Sequence, residues 1–439
     1  MARSSFFSTA SALTFVFLSA CASASPVPTA PLSAPATTTA ITLWHTETDV
    51  ATAMLATLAD DFHKTYPNIT VRAQAKPSEG DLLREALGAL ALNQTPDLAL
   101  ADPRTLAEFA RRGALVNLDA LASDAKQGLT DADRADFIPG LLDAGRMPDL
   151  KNQWLGFPFD TSAVVLYYNA DLLQAAKQIV PRTWDQFGEA ARATTRNNVR
   201  GWVMSPSAPV FAAFLCSRGS SVLNATQTQA QFGDGAGLAA LQLIVALNKG
   251  GAAYLADNAN SARNDFAQAK TAFLFDTTDA LTPITDAINR AGNFKWGIAN
   301  IPQSDPAQTS TIVLGKQIAI FKPVGTASDD RTRAAWLFAR WLTLMEQSAR
   351  WAQATFSLPI RLSTQTLLAS SRLPPNLQRL RDGFGDVLPT VKAMPAVKDA
   401  GLIDSALVEM WINVANGADP ATTLKNATMR ANRVLGQIP

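Results

Sequence analysis

The sequence predicts an α/β protein built as two domains, and three observations carry that prediction. From Ala40 onward, short apolar segments of strand character alternate with amphipathic helical segments, the pattern of βαβ units on a parallel sheet. The chain has 439 residues, more than one hydrophobic core comfortably holds. Hydrophobic residues make up 47% of it and charged residues 17%, which suits ordinary globular cores. After the N-terminal segment, no run approaches the length of uncharged apolar residues that a membrane-spanning helix needs.

Arg3, an apolar run from Ala10 to Leu18 and the small residues Ser19 and Ala20 make residues 1–21 a secretory signal, too short to span a bilayer as a mature helix. Its end, Leu18-Ser19-Ala20-Cys21, resembles the lipobox of bacterial lipoproteins. That resemblance implies that Cys21 is acylated and becomes the mature N-terminus. Each buried methylene contributes roughly 0.8 kcal/mol and two chains hold firmly, so such a Cys would anchor the protein to the membrane. The competing reading is a plain secretory peptide with an incidental Cys, and both readings put the protein outside the cytoplasm. Residues 22–40 are almost entirely Ala, Ser, Pro and Thr without charge. They read as a flexible stalk, because they cannot bury enough surface to offset their ordering entropy.

The folded region opens with Ala40–Trp44 as a strand, followed by a helix with Met54, Leu55, Leu58 and Phe62 on one face that ends before Pro67. Ile69–Val71 is a second strand, Asp81–Leu92 a helix, Pro96–Leu100 a third strand, and Thr105–Arg112 a helix stopped at Gly113. Ligands of such sheets sit beyond the carboxyl ends of the strands, which here carry His45-Thr46-Glu47 and Asp102-Pro103-Arg104. A second apolar block runs Trp154–Phe159 and then Ala163–Asn169, followed by a helix opening at Thr183-Trp184 and another from Ala236 to Asn248. Strand Thr271–Phe275 ends in the polar cluster Asp276-Thr277-Thr278-Asp279. Ile312–Leu314 and Ile318–Phe321 bracket Gly315-Lys316-Gln317. One long helix carries Ala335, Phe338, Leu342, Met345 and Ala349, and the C-terminus from Ile403 to Leu435 is helical with a break at Gly417–Pro420.

Thirty-eight basic and 37 acidic residues nearly cancel, and without a basic stripe nucleic acid is excluded as a partner. With Cys21 committed to lipid, Cys216 has no disulfide partner, and its apolar surroundings, Val210–Leu215, mark it as a buried inert thiol. His45 and His63 are the only histidines and neither has a convergent ligand set, so no metal is expected. No cofactor is implied. The sequence has no Gly-Xaa-Ser-Xaa-Gly elbow, no His-Glu-Xaa-Xaa-His and no phosphate loop.

Several segments, in order, resemble the extracellular solute-binding proteins of ABC importers, in the family of maltose- and glycerol-phosphate-binding proteins. They are Leu43-Trp44-His45, Tyr66-Pro67-Asn68-Ile69, Thr95-Pro96-Asp97-Leu98, Gly156–Asp160 leading to Leu166–Asn169, Pro181–Asp185, Phe294–Ile298 and Ser357–Arg361. The resemblance implies a two-lobed, periplasmic-binding-protein-like α/β fold with a hinge and an interlobe ligand cleft. It places chain crossings near Thr161–Val164, Gly297–Asn300 and Ala352–Phe356. Lobe one would hold 41–161 and 299–352, and lobe two 162–298 and 353–439. It further implies a monomer that passes its ligand to the membrane subunits of an ABC permease.

On that frame the cleft candidates are His45, Thr46 and Glu47; Asp102 and Arg104; Asp160, Thr161 and Ser162; Ser205; and Asp276, Thr277 and Thr278. Carboxylates accept paired bonds from adjacent sugar hydroxyls, but helix capping or salt bridging explains each of them equally well when taken singly. Four further positions are departures from the glycerol-phosphate-binding members. Asp404, or Lys398 if the register shifts, stands where those members carry an Arg that clasps phosphate, and a carboxylate there repels phosphate. Phe356-Ser357 replaces a Tyr, leaving Phe356 to supply a flat apolar face. Gly315 beside Lys316 replaces paired glycines. The Met204–Ser207 segment lacks their Trp. A neutral or cationic hydroxylated ligand therefore fits better than glycerol phosphate. The expected function is capture of a sugar or polyol for import. The alternatives are a secreted hydrolase using paired carboxylates from Asp102, Asp160 and Asp276, or a binding module for sensing or adhesion.

Overall fold

A computed structural model describes residues 38–292, 294–323, 329–370, 372–384 and 390–437. The signal segment, Cys21 and the stalk up to residue 37 lie outside the described residues. The strands are β1 (Thr39–His45), β2 (Ile69–Ala75), β3 (Leu98–Ala101), a small hairpin of β4 (Arg146–Met147) and β5 (Gln153–Trp154), β6 (Phe157–Asn169), β7 (Arg200–Met204), β8 (Ala253–Leu255), β9 (Thr271–Thr277), β10 (Trp296–Ala299), β11 (Ser310–Ile320) and β12 (Thr390–Ala393). They line up as β2-β1-β3-β11-β6-β9-β7-β8, with β10 beside β6 and β12 beside β11.

The opening βαβ units form as their periodicity predicts. β1 pairs in parallel with both β2 and β3. Helix Asp49–Thr65 buries Leu55, Leu58, Ala59 and Phe62, and Ser78 caps helix Glu79–Ala91 by accepting from the Asp81 amide. Thr39 and Ala40 already pair with Ile69 and Thr70, so the end of the compositional stalk is strand.

β6 and β11 join the two halves of this array. Phe157–Ala163 of β6 pairs with β11, and Val164–Tyr168 pairs with β9. β11 in turn pairs with β12 through Ser310–Val313 and with β3 through Gln317–Ile320. Buried on both faces, β6 shows near-continuous burial rather than alternation, which is why its sequence reads as two apolar blocks instead of one strand. β11 is likewise one strand, with an irregularity between Lys316 and Gln317. The passage between the halves that was expected at Gly297–Asn300 falls elsewhere by pairing. β10 pairs with Leu166–Asn169 of β6, and the returning strand is β11.

The expected long helix is two, Asp329–Leu342 and Met345–Thr355. Buried Arg361 donates its Nε–H to the Thr343 carbonyl, taking the acceptor that a continuous helix would use at the break. Each half has its own core. One is built around Leu82, Leu106, Phe109 and Phe321. The other is aromatic-rich, with Trp411 packed on Trp202, Phe211 and Phe214 at ring-centre distances of 6.0, 6.1 and 5.4 Å. Trp411 thereby docks helix Ala400–Ala415 onto the β7 side of the array. Cys216 is a free, buried thiol whose pKa is raised by burial. Among the described residues no helix is long and apolar enough to cross a membrane.

Candidate functional site

A cavity of about 320 Å³ opens where strand ends meet the midpoints of β6 and β11. Glu79 and Asp102 reach it from the ends of β2 and β3, and Asp160, Thr161 and Ser162 from the middle of β6. Leu314, Gly315 and Lys316 face it from β11, Thr355, Phe356 and Ser357 from the end of helix Met345–Thr355, and Asp279 from the turn after β9. Hollows of about 410 and 650 Å³ lie elsewhere, beside β10 and between the β4–β5 hairpin and β12. Of these three hollows, the one of about 320 Å³ joins strand ends from both halves of the array, the position where open α/β sheets bind ligands.

Local structure fixes each wall. Asp102 caps helix Pro103–Arg111, accepting from the amides of Arg104 and Thr105 at 2.8 and 3.0 Å and from the Thr105 hydroxyl at 2.7 Å. Its amide in turn donates to Glu79 at 3.4 Å, and Thr46 donates its hydroxyl to Glu79 at 2.7 Å. Burial, opposed by the Thr46 bond and reinforced by the charge of Asp102, raises the Glu79 pKa. Asp160 accepts from the Trp351 indole at 3.1 Å and from the Ser357 hydroxyl. Gly315 has φ +123°, and a Cβ there would stand 2.1 Å from the Asp160 carbonyl oxygen; glycine lets β11 approach β6 at this point. Phe356 ends its helix in the left-handed region at φ 59°, an unusual state for a bulky residue and one that concentrates at functional positions.

Two ion pairs frame the cavity. Lys316 meets Glu47 at 2.7 Å with Glu47 only 8% exposed. Burial and then the nearby Asp160 push the Glu47 pKa up, against the pull of Lys316. Arg104 meets Asp404 at 2.5 Å, tying the β3 loop to helix Ala400–Ala415. Burial raises the Asp404 pKa while Arg104 opposes the shift. Asp404 is thus occupied by a guanidinium rather than presented alone to a ligand.

Other candidates are spent on structure. His45 is buried, and its Nδ1 accepts from the Glu47 amide at 3.2 Å; burial first and Lys316 second lower its pKa to about 4, so the ring is neutral near pH 7. Asp276 is held bidentate by Arg263 at 2.7 and 3.1 Å. The Thr278 hydroxyl accepts from the Ala163 amide at 3.1 Å, and the Thr277 hydroxyl bonds Asp279 and Asp276. Ser205 lies in the turn after β7. None of these five lines the cavity, nor do Thr46, Glu47, Arg104 and Asp404, which support or flank it. Glu79, Asp279, Leu314, Lys316 and Thr355 line the cavity without having been among the candidates. Glu79 follows β2 as Asp102 follows β3, so the strand-end rule would have found it.

The sequence matches the bacterial extracellular solute-binding proteins over residues 57–375. This chain belongs to that family. It is a solute-binding protein, and such proteins work outside the cytoplasm. Among its relatives, the sn-glycerol-3-phosphate-binding periplasmic protein UgpB of Rhizobium meliloti (strain 1021) is 22% identical over 334 residues, covering 73% of this chain and 75% of that protein. The cyclic α-maltosyl-1,6-maltose binding protein of Arthrobacter globiformis superposes with a TM-score of 0.76 at 19% identity, covering 90% of this chain and 99% of the other. UgpB of Mycobacterium tuberculosis, solved with glycerophosphocholine, gives 0.68 at 22% identity, covering 91% and 99%. The fold of this solute-binding protein is accordingly the two-lobed α/β fold of the maltose-binding type. These relatives are binding proteins rather than enzymes.

Proposed function

We propose that this solute-binding protein captures a sugar or related polyol in the cavity at the midpoints of β6 and β11 and delivers it to the permease of an ABC importer. The observation that carries this reading is the composition of that cavity. Carboxylates that can take paired hydroxyls stand beside free strand hydroxyls, with Phe356 offering an apolar ring and Gly315 a bare backbone. The hinge falls near Ser162 on β6 and Leu314 on β11, which are register partners, and at Phe356. On this reading lobe one holds residues 41–161 and the stretch from the middle of β11 to residue 352, and lobe two holds the rest of the folded chain. A ligand that touches both lobes only when they close shifts the population toward the closed form, which the permease reads. The protein acts as a monomer tethered through acylated Cys21, whose stalk keeps it within reach of its partner.

A thermal-shift screen of the purified protein across sugars, polyols and sugar phosphates tests this. A ligand present at about 1,000 times its dissociation constant stabilises the fold by about 4 kcal/mol, a clear rise in melting temperature. A hit among sugars or polyols supports the reading; a response confined to sugar phosphates, or to none of them, overturns it. Incubation with oligosaccharides yields no products under this reading, whereas a carboxylate hydrolase would release them.

A further inference from the structure

Four carboxyl side chains, Glu79, Asp102, Asp160 and Asp279, line the one cavity. Elsewhere in this protein a guanidinium matches Asp97 and Asp276, which lie at strand ends, and Asp404 on helix Ala400–Ala415: Arg331 at 2.7 Å, Arg263 and Arg104 respectively. The four in the cavity are not so matched. Among the described residues none of them forms an ion pair, and the cation in the wall, Lys316, is already held by Glu47. The uncompensated charge comes from both halves of the array, with Glu79 and Asp102 at the β2 and β3 ends and Asp279 beyond β9. Like charges facing each other across a hinge oppose its closure until something of opposite sign arrives.

A second observation concerns the same walls. Thr161 and Ser162 are 4% and 9% exposed, and both line the cavity. Their hydroxyls have no hydrogen-bond partner among the described residues. Although the residues are buried, the hydroxyl oxygens themselves are not sealed off from the cavity, so both are open to hydroxyl groups from a ligand. A bare metal ion would satisfy the charge but not the hydroxyls. Moreover, among the described residues no three acidic, His or Cys side chains converge closely enough to hold one. The carboxylates are spread along the cavity, which suits an extended organic molecule.

We propose that the ligand is a hydroxylated cation, a sugar or cyclitol bearing a protonated amine, whose ammonium group sits among Glu79, Asp102, Asp160 and Asp279 while its hydroxyls meet Thr161 and Ser162. This rests on the reading of the cavity as the solute site and narrows the class of solute. Charge-assisted bonds from an ammonium are stronger than those from a hydroxyl, and an anion in the same place meets four carboxylates.

The test is a calorimetric titration of the purified protein with matched pairs: D-glucosamine against D-glucose, the β-1,4 glucosamine disaccharide against cellobiose, and 1-deoxynojirimycin against 1,5-anhydroglucitol. The amine of at least one pair binds about tenfold or more tighter than its neutral twin. The preference falls in Glu79→Gln and in Asp279→Asn, the second a substitution at the exposed rim that keeps the fold intact. Neutral twins that bind as tightly as the amines overturn the cationic ligand while leaving sugar capture standing. Absence of binding by both members of every pair overturns the two together.

Discussion

The loops after β3 and after β9 hold the same kinds of residue at equivalent strand ends, yet they do different work. Asp102 caps its helix and still lines the cavity, and among the described residues it forms no ion pair. Asp276 is clamped by Arg263, Thr278 receives the Ala163 amide, and only Asp279 at the end of the cluster reaches the cavity. A strand-end position therefore makes a polar residue available to a ligand only if its neighbours leave it unfilled. On the proposed reading Asp102 of the β3 loop faces the solute, whereas Asp276 and Thr278 of the β9 loop serve the scaffold.

Breaking the scaffold side has the largest expected consequence. Trp411 is fully buried between Trp202 and Phe214, so Trp411→Ala should cost about 3–5 kcal/mol in denaturant melts and release the helix that presents Asp404. Lys316→Met strands the buried Glu47 carboxylate and should cost roughly 3 kcal/mol. Glu47→Gln in the same chain should recover most of that loss. Arg263→Ala leaves Asp276 without its bidentate partner and should cost about 2 kcal/mol. Acid tests the β1 end. The pKa of His45 is lowered from 6.5 to about 4 in the fold, so its contribution is complete above pH 6.5 and declines as pH falls toward 4. It amounts to roughly 3 kcal/mol in a urea series over that window. The His45→Gln variant should show a flatter profile.

The parallel units of the first half were legible because their apolar faces repeat cleanly and caps such as Ser78 sit where the helices start. The lobe-joining strands were harder. β6 is buried on both faces and so loses the alternation that marks a strand, and Gly315 with Lys316 imitates a turn inside β11. The helix break at Thr343 depends on Arg361, which is remote in sequence and carries no local signal. Strand-end logic led to Asp102, while the family resemblance supplied Asp160, Thr161, Ser162, Gly315, Phe356 and Ser357, and all of these line the cavity. It could not tell which of Asp102 and Asp276 had an arginine waiting, because that pairing is set by packing. Nor could it foresee that Asp404 and Arg104 neutralise each other.

The most direct measurement compares Asp102→Asn with Arg263→Ala in calorimetric titrations against the solute found by screening. Asn caps a helix about as well as Asp, so the first variant removes a charge from the cavity with little change in stability. It should lose affinity by about tenfold or more, while Arg263→Ala, although less stable, should keep its affinity within about twofold. Equal losses in the two variants, or an undiminished affinity in Asp102→Asn, would contradict the division between a solute-facing Asp102 and a structural Asp276.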